Sequence, residues 1–540
     1  MELKDPLLYF HFPKTETIPE PRETQIDLIN QSVELFNQGH KRIVVCAPTG
    51  SGKSAYGLWM ARLLANFTRN ETVVNGKSTF STPKIIYTSP LNVLVDQMNS
   101  NFEVRYIKTI KGREHYACVS GKENCAVGWC KLHKCSMVHE LTRECKSCEK
   151  SHPELFDKCP CNHCIYKKEL ALFKNHNIGN TNFTLFQYGI AEGRDIIVID
   201  ECDAIESFIR MQHSFTVDEI IKGDYTEHIA RLKEIKMDVD AELELVLEGR
   251  LELSAKQIHK LKNKGNNIKT LIEDYEKGRA WCVSYNYDKT KYEPINTDRF
   301  LEPLIKDKIV IFMSATPEKR DDAGFIEVGS TFPVENRTWE YKPLGQMGIK
   351  YRDETVHNIA EFLTTLEGKT LVHCHSYGIA RMLSSALKPL TNNKVFTQVN
   401  NVIEEADDDN YYRKDIVYQF KQSKDENAIL LSVNLARGVD FPEYNIKNNV
   451  IAKFPWFDHT DPLTIAKNRQ EGNVRWQWKE ISRTLMQAYG RLPRSPEKIS
   501  HCYIVDSDFN NPKGISMAKL WYDRHKEYFF DWFKDAEVKM

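Results

Sequence analysis

Arg42-Ile-Val-Val-Cys-Ala-Pro-Thr-Gly-Ser-Gly-Lys-Ser54 is the stretch that decides the fold. The apolar run Ile43–Cys46 has no polar break, the pattern of a strand buried on both faces. A glycine-rich turn then runs into a helix expected from Lys53 to about Asn66. Thr49, Gly50, Ser51 and Gly52 supply backbone N–H groups that wrap phosphates. Lys53 brings a point charge to the outer phosphates, and the Ser54 hydroxyl suits Mg2+.

The same alternation extends in both directions. Residues 24–39 have the spacing of an amphipathic helix. Lys84–Ser89 reads as a second strand, with a helix from about Leu91. Asp195–Ile199 is a third, leading into Asp200-Glu-Cys-Asp203. Lys308–Met313 is a fourth, followed by Ser314-Ala-Thr316. A further alternating unit begins near Lys369, with strands at Ala428–Ser432, Asn449–Lys453 and Cys502–Val505. Strands separated by helices indicate parallel sheets covered on both faces.

The carboxylates and arginines fall where a nucleotide site needs them. Asp200 and Glu201 are placed at the carboxyl end of a strand, where ligands collect in such sheets. There Asp200 orients Mg2+ and Glu201 polarises an attacking water. Gln487-Ala-Tyr-Gly-Arg491-Leu-Pro-Arg494 spaces Gln487, Arg491 and Arg494 so that a facing lobe delivers two positive charges to the phosphates.

Between the phosphate loop and the acidic box lie nine of the chain's 14 cysteines, all from Cys118 to Cys164. The amino terminus lacks the basic-then-apolar pattern of a signal peptide, and no apolar run approaches the ~18 residues of a membrane span. The expectation is an intracellular protein, in cytoplasm or nucleoid (host cytoplasm if viral), where clustered thiols favour metal over disulfides. A net charge of −1 gives no global sign of a polyanion partner, so contact with nucleic acid requires a local groove. The bland reading suits the other cysteines: Cys46, Cys282, Cys374 and Cys502 sit in apolar surroundings, and Cys202 has no evident base. His373 and His375 are read as core or loop histidines. Trp456, Phe454 and Phe457, like Trp476 and Trp478, suit either base stacking or core packing.

Taken in order, these motifs resemble those of the XPD/DinG-like iron–sulfur DNA helicases of superfamily 2. The resemblance rests also on Arg22 and Gln25, on Gly112-Arg-Glu-His-Tyr-Ala-Cys118 and on Cys164-Ile-Tyr166. Ser314-Ala-Thr316, Ser330-Thr-Phe-Pro333 with Asn336-Arg337, Gly438-Val-Asp440 and Asp461-Pro462 complete it. It implies two tandem RecA-like parallel-sheet lobes of α/β class, with a cysteine-rich metal domain and a helical, arch-like domain inserted in the first lobe. The expected boundaries are lobe 1 at 1–110, 169–204 and 299–320, the cluster insert at 111–168, the helical insert at 205–298, and lobe 2 at 321–540.

The implied activity is ATP hydrolysis coupled to unwinding of DNA, moving 5′ to 3′ on single-stranded or forked DNA. Arg22 and Gln25 would lie on the adenine side of the nucleotide, with Gly438 and Asp440 at the same site. Arg113, Tyr116 and Tyr188 would meet the single strand. A 4Fe–4S cluster would take Cys118 and Cys164 as outer ligands and Cys145 and Cys148 as the middle pair, with Cys159 or Cys161 as alternatives. The remaining thiols leave room for Zn2+. Two other outputs fit the sequence: an R-loop or RNA-remodelling translocase acting on an RNA:DNA hybrid, and a metal-stapled nucleic-acid scaffold with a degenerate ATPase. Departures from the family pattern put coupling in question more than hydrolysis. Asp203 stands for His, Arg437 for Glu, His115 for Asn, and Gln187-Tyr188 for Asn-Tyr.

Overall fold

The computed structural model describes residues 21–67, 70–74, 77–101, 107–116, 165–398, 409–433, 446–472, 474–491, 498–506 and 517–538. Two parallel sheets organise them. The first runs, edge to edge, Gly324–Glu327, Arg42–Cys46, Ile309–Ser314, Ile196–Asp200, Ile85–Ser89, Ile178–Asn182 and Lys108–Thr109. Its central strands are buried on both faces because helices cover both sides, and so their sequences are continuous apolar runs. The second sheet runs Arg337–Gly345, Ser500–Asp506, Ile446–Ile451, Lys369–His373, Ile429–Ser432 and Val395–Thr397, again all parallel.

The helices at Glu23–Asn37, Lys53–Phe67 and Asn92–Asn101 fall within a few residues of their expected places. One boundary moves. Gly324–Glu327 pairs in parallel with Ile43–Cys46, so lobe 1 continues past residue 320 and closes its own sheet edge before the chain crosses to lobe 2.

The insert after the acidic box is not only helical. Tyr225–Leu247 and Ala255–Glu276 start from Asp224 and Ser254, each of which caps its helix through a reciprocal box with Glu227 and Gln257. The two helices bury Leu232, Val239, Ile268 and Leu271 with Phe215, Trp281 and Tyr292. Those three aromatics belong to an antiparallel sheet of Phe215–Val217, Lys289–Pro294 and Trp281–Asn286, which the helical expectation missed. The alternation was visible: in Lys289–Pro294, Thr290, Tyr292 and Pro294 point inward and the residues between them outward.

Lobe 2 is held by an aromatic core. Trp339 is fully buried, stacks on Phe533 at 4.7 Å, meets Tyr522 edge-on at 5.1 Å and donates its indole N–H to the Phe533 carbonyl at 2.8 Å. Phe454 is buried in the same cluster. Trp456 packs on it at 4.5 Å and on Trp521 at 6.0 Å, and Trp476 is buried against Phe457. Of the two readings open for these rings, core packing is the one their surroundings fit. Trp339→Ala removes the largest buried side chain here and is expected to cost about 3–5 kcal/mol, read as a lower denaturant midpoint for lobe 2.

Candidate nucleotide and nucleic-acid site

The phosphate loop leaves the strand Arg42–Cys46 and turns at Gly50 and Gly52, whose φ values of 82° and 83° suit glycine. A Cβ on Gly52 would stand 2.2 Å from Gln25 Nε2. The first helix brings its own side chains onto this turn. Arg22 donates to the Gly50 carbonyl at 2.7 Å, and Gln25 Nε2 to the Gly52 carbonyl at 2.9 Å. Lys53 is buried, with Nζ donating to the Pro48 carbonyl at 3.3 Å. Ser51 Oγ is buried without a hydrogen-bond partner among the described residues, as an oxygen awaiting a ligand would be.

Asp200 ends its strand beside this loop. It accepts from Ser54 Oγ at 3.1 Å and from the Tyr87 hydroxyl. The Asp200 carboxylate and burial together hold the Tyr87 hydroxyl protonated, with burial the larger influence. Glu201 follows in a left-handed backbone conformation, φ 51°. Burial raises its carboxyl above the usual 4.5. Lys53 and Arg491 pull it down, and Asp203 and Asp200 push it up.

Asp203 reaches across to two other segments. Its carboxylate accepts from Ser314 Oγ at 2.6 Å, Thr316 Oγ1 at 3.3 Å and Gln487 Nε2 at 3.3 Å. Gln487 Nε2 also meets Thr316 Oγ1 at 2.7 Å. Gln487 belongs to the lobe 2 helix Arg475–Tyr489, so one carboxylate receives hydrogen bonds from both lobes. At the end of that helix, a Cβ on Gly490 would lie 2.9 Å from Thr49 Oγ1, and Arg491 is buried close enough to bear on Glu201. Thus Lys53, Asp200, Glu201, Gln487 and Arg491 converge. Arg494, Gly438 and Asp440 lie outside the described residues. Tyr87 and Arg483 were not singled out in the sequence; Arg483 Nε donates to the Thr316 carbonyl at 3.3 Å.

The nucleic-acid candidates form a second group. Arg113 opens a short 3-10 turn and stands over the Tyr166 ring at 5.0 Å, and Tyr116 meets the same ring edge-on at 5.4 Å. Tyr188 is 60% exposed, on a π-helical turn whose Phe186 packs in the same cluster as Tyr166. Tyr116 and Tyr166 each stand two residues from an outer cysteine of the expected cluster. The cysteines themselves (Cys118, Cys145, Cys148, Cys159, Cys161 and Cys164 among them) lie outside the described residues. Among the described residues no group of His, Cys, Asp or Glu side chains is arranged to hold a metal.

Five thiols are described, and all are buried. Burial pushes Cys46 and Cys202 well up, and Cys282 up to about 12, the state of inert core cysteines. His373 and His375 stack at 6.1 Å, and burial lowers them to about 3 and about 4, so both are neutral. Asp461 accepts from Thr464 N at 2.8 Å and caps the helix Pro462–Glu471, a structural reason for the Asp-Pro pair.

Two parallel-sheet lobes meeting over a phosphate loop, an acidic box and an arginine-bearing helix define a tandem RecA-like motor driven by ATP. Residues 24–148 match the DEAD/DEAH box helicase family and residues 359–524 the helicase C-terminal domain family, together more than half of the chain. Carrying both helicase domains in order, the chain is an ATP-dependent helicase whose motifs resemble those of the XPD/DinG-like members of superfamily 2. Its fold is similar to that of a solved XPD helicase at 15% identity and TM-score 0.57, covering 96% of this chain and 100% of that one. S. tokodaii Xpd4 and an apo XPD structure follow at 12% and 14% identity, each with TM-score 0.52 and the same coverage. No curated protein matches the chain in sequence. No helix among the described residues is long and apolar enough to cross a membrane.

Asp203→Ala would leave the Ser314, Thr316 and Gln487 donors without their shared acceptor. The expected cost is about 1–3 kcal/mol, read as a lower thermal midpoint, with Asp203→Asn losing less because it keeps one acceptor oxygen.

Proposed function

We propose that this helicase acts on DNA, tracking 5′ to 3′ on a single strand, with a 4Fe–4S cluster held between Cys118 and Cys164 beside the point where strands part. The observation that carries this reading is the meeting of Arg113, Tyr116 and Tyr166. The chain leaves lobe 1 and returns to it at one place, so that the residues flanking both outer cysteines share a single foot. The nine clustered thiols suit iron–sulfur ligation, and the cluster's contribution, once bound, would be to stiffen that segment. The direction of travel and the DNA preference rest on the family resemblance.

In the proposed cycle, Ser54 and Asp200 are the residues that would hold Mg2+, which would supply positive charge to the phosphates, and Lys53 leaves the Pro48 carbonyl to meet them. Glu201 orients a water toward the terminal phosphorus. As that P–O bond forms, the bond to the bridging oxygen breaks, ADP departs, and a proton from the water passes to the Glu201 carboxylate. Arg491 and Arg494, from lobe 2, offset charge on the transferring group. Arg22 and Gln25 brace the loop from the side where the adenine would lie, and Gly438 and Asp440 would complete the site from lobe 2. Asp203 then reports cleft closure to Ser314, Thr316 and Gln487. With three acceptor contacts, this aspartate is well employed in its place, which favours a working ATPase over a degenerate one.

Iron and sulfide analysis after anaerobic purification is expected to give four of each per chain with a broad visible absorption band. Zinc without iron would overturn the cluster. Strand separation assayed on DNA, RNA and hybrid substrates with 5′ or 3′ tails is expected to favour DNA with a 5′ tail. Preference for a hybrid would point instead to the R-loop reading.

Hydrolysis requires Glu201 ionised, and its folded-state pKa is raised. The acidic limb of kcat/KM for ATP is therefore expected to fall away at a pH above 4.5. Glu201→Gln is expected to lower hydrolysis by about a hundredfold or more while ATP binding persists, as titration with a fluorescent nucleotide would show.

A further inference from the structure

The two lobes meet along a seam of mixed chemistry. On the side of the strands Gly324–Glu327 and Arg42–Cys46, the contact is apolar. Cys46 and Ala315 pack in one cluster with Met486, Tyr489 and Trp532 of lobe 2, and Asp531 N donates to Glu327 at 3.2 Å. Beyond the Asp203 centre, the contact changes to charge. Glu206, on the helix Ile205–His213 directly after the acidic box, pairs with Arg210 one turn on and with Lys467 of lobe 2. Lys479 of lobe 2 meets Glu318 of lobe 1 at 3.2 Å.

Lys467 is 9% exposed, on the helix Pro462–Glu471, which lies against the insert strand Trp281–Asn286. Arg210 Nε donates to the Pro294 carbonyl of the insert at 3.2 Å. Acidic-box helix, insert and lobe 2 therefore join at one ion-pair junction. Burial works to raise the Glu206 carboxyl, yet Lys467 and Arg210 outweigh it and hold it below the usual glutamate value. The junction is not close-packed: it borders a cavity of about 460 Å³ lined by Glu206, Leu301, Glu318, Lys467 and Arg483 among others.

We propose that the Lys467–Glu206 pair is a latch that holds lobe 2 on lobe 1, opposite the apolar seam that serves as hinge, and that its strength sets how readily the nucleotide cleft opens. The apolar seam cannot part without exposing Trp532, Tyr489 and Cys46 to water. The ion pair can, because each partner regains hydration through the cavity and Glu206 keeps Arg210 when Lys467 leaves. Nucleotide contacts come from both lobes, so only the closed arrangement is competent to bind. Weakening the latch lowers the competent fraction and raises the apparent dissociation constant in proportion. Lys467 is thus a positioning residue: it touches neither ATP nor its phosphates.

This inference rests on ATP turnover in a two-lobed cleft and not on the DNA or cluster assignments. Its test is steady-state ATP hydrolysis by the full chain carrying Lys467→Met, which keeps the aliphatic stem. The KM for ATP is expected to rise about three- to tenfold with kcat undiminished, since opening and product release become easier. Glu206→Gln should raise KM alike, and the double variant should be no worse than either single one, because both remove the same pair. An unchanged KM in Lys467→Met would overturn the latch. So would a fall in kcat together with the thermal midpoint at constant KM, which marks a merely structural residue. Absence of ATP hydrolysis by the unaltered chain would strike the motor reading itself.

Discussion

A single half-buried carboxylate, that of Asp203, ties the two halves of the molecule together where they face each other. It accepts from Ser314 and Thr316 on one strand end of lobe 1 and from Gln487 on a helix of lobe 2. A carboxylate partly withdrawn from water needs these donors, so the three of them and the lobes that carry them are constrained together. Arg483, one turn before Gln487 on the same helix, adds a guanidinium at the Thr316 carbonyl. Burial opposes its charge, but Glu480 and Asp203 more than restore it, so its pKa rises above the ordinary arginine value. Polar satisfaction here sets the width of the cleft in which Lys53, Glu201 and Arg491 converge.

The parallel sheets explain why those groups are near one another at all. In lobe 1 the catalytic candidates leave strands at their carboxyl ends: Cys46 into the phosphate loop, Asp200 into the acidic box, Ser314 into Thr316. Parallel pairing aligns those ends in one row, with Cys46 beside Ser314 and Met313 beside Asp200. A short bond from a strand residue then tunes the site. Tyr87, on the next strand over, holds one oxygen of Asp200 and leaves the other facing Glu201 N at 3.0 Å.

What the sequence made legible was whatever depends on local pattern. Strands buried on both faces are unbroken apolar runs, so Arg42–Cys46 is visible to the residue and its neighbours to within one or two. The phosphate loop is visible because only glycine suits its φ angles at 50 and 52. Contacts between distant parts of the chain left no such trace. Glu206 and Lys467 are 261 residues apart, and each alone is an ordinary charged residue on a helix. Asp203 looked like a defect because the family pattern has a histidine there; its acceptor role appears only when Ser314, Thr316 and Gln487 are brought to it. The antiparallel sheet of the insert was overlooked for another reason. Two long capped helices dominate the composition of residues 205–280, and the hairpin that packs under them begins only at Trp281.

The nucleic-acid candidates, scattered over the sequence, are one mechanical unit in the fold. His115, between Arg113 and Tyr116, receives the Asn92 amide at 3.1 Å. Asn92 in turn accepts from Asn182 at 2.8 Å, and Asn182 caps the turn that leads into Gln187 and Tyr188 through Leu185 N at 3.0 Å. Each link is a side-chain hydrogen bond at the carboxyl end of a lobe 1 strand or the amino end of its helix. A strand drawn across Tyr188 would therefore pull on the same network that anchors the foot of the cysteine segment. The histidine at position 115, where the family carries asparagine, keeps that link, because its ring nitrogen accepts what the chain offers. Among the described residues, movement of lobe 2 reaches this group by way of lobe 1, since its anchors Asn92, His115, Tyr166 and Asn182 belong to the first sheet or to the helices and turns that flank it.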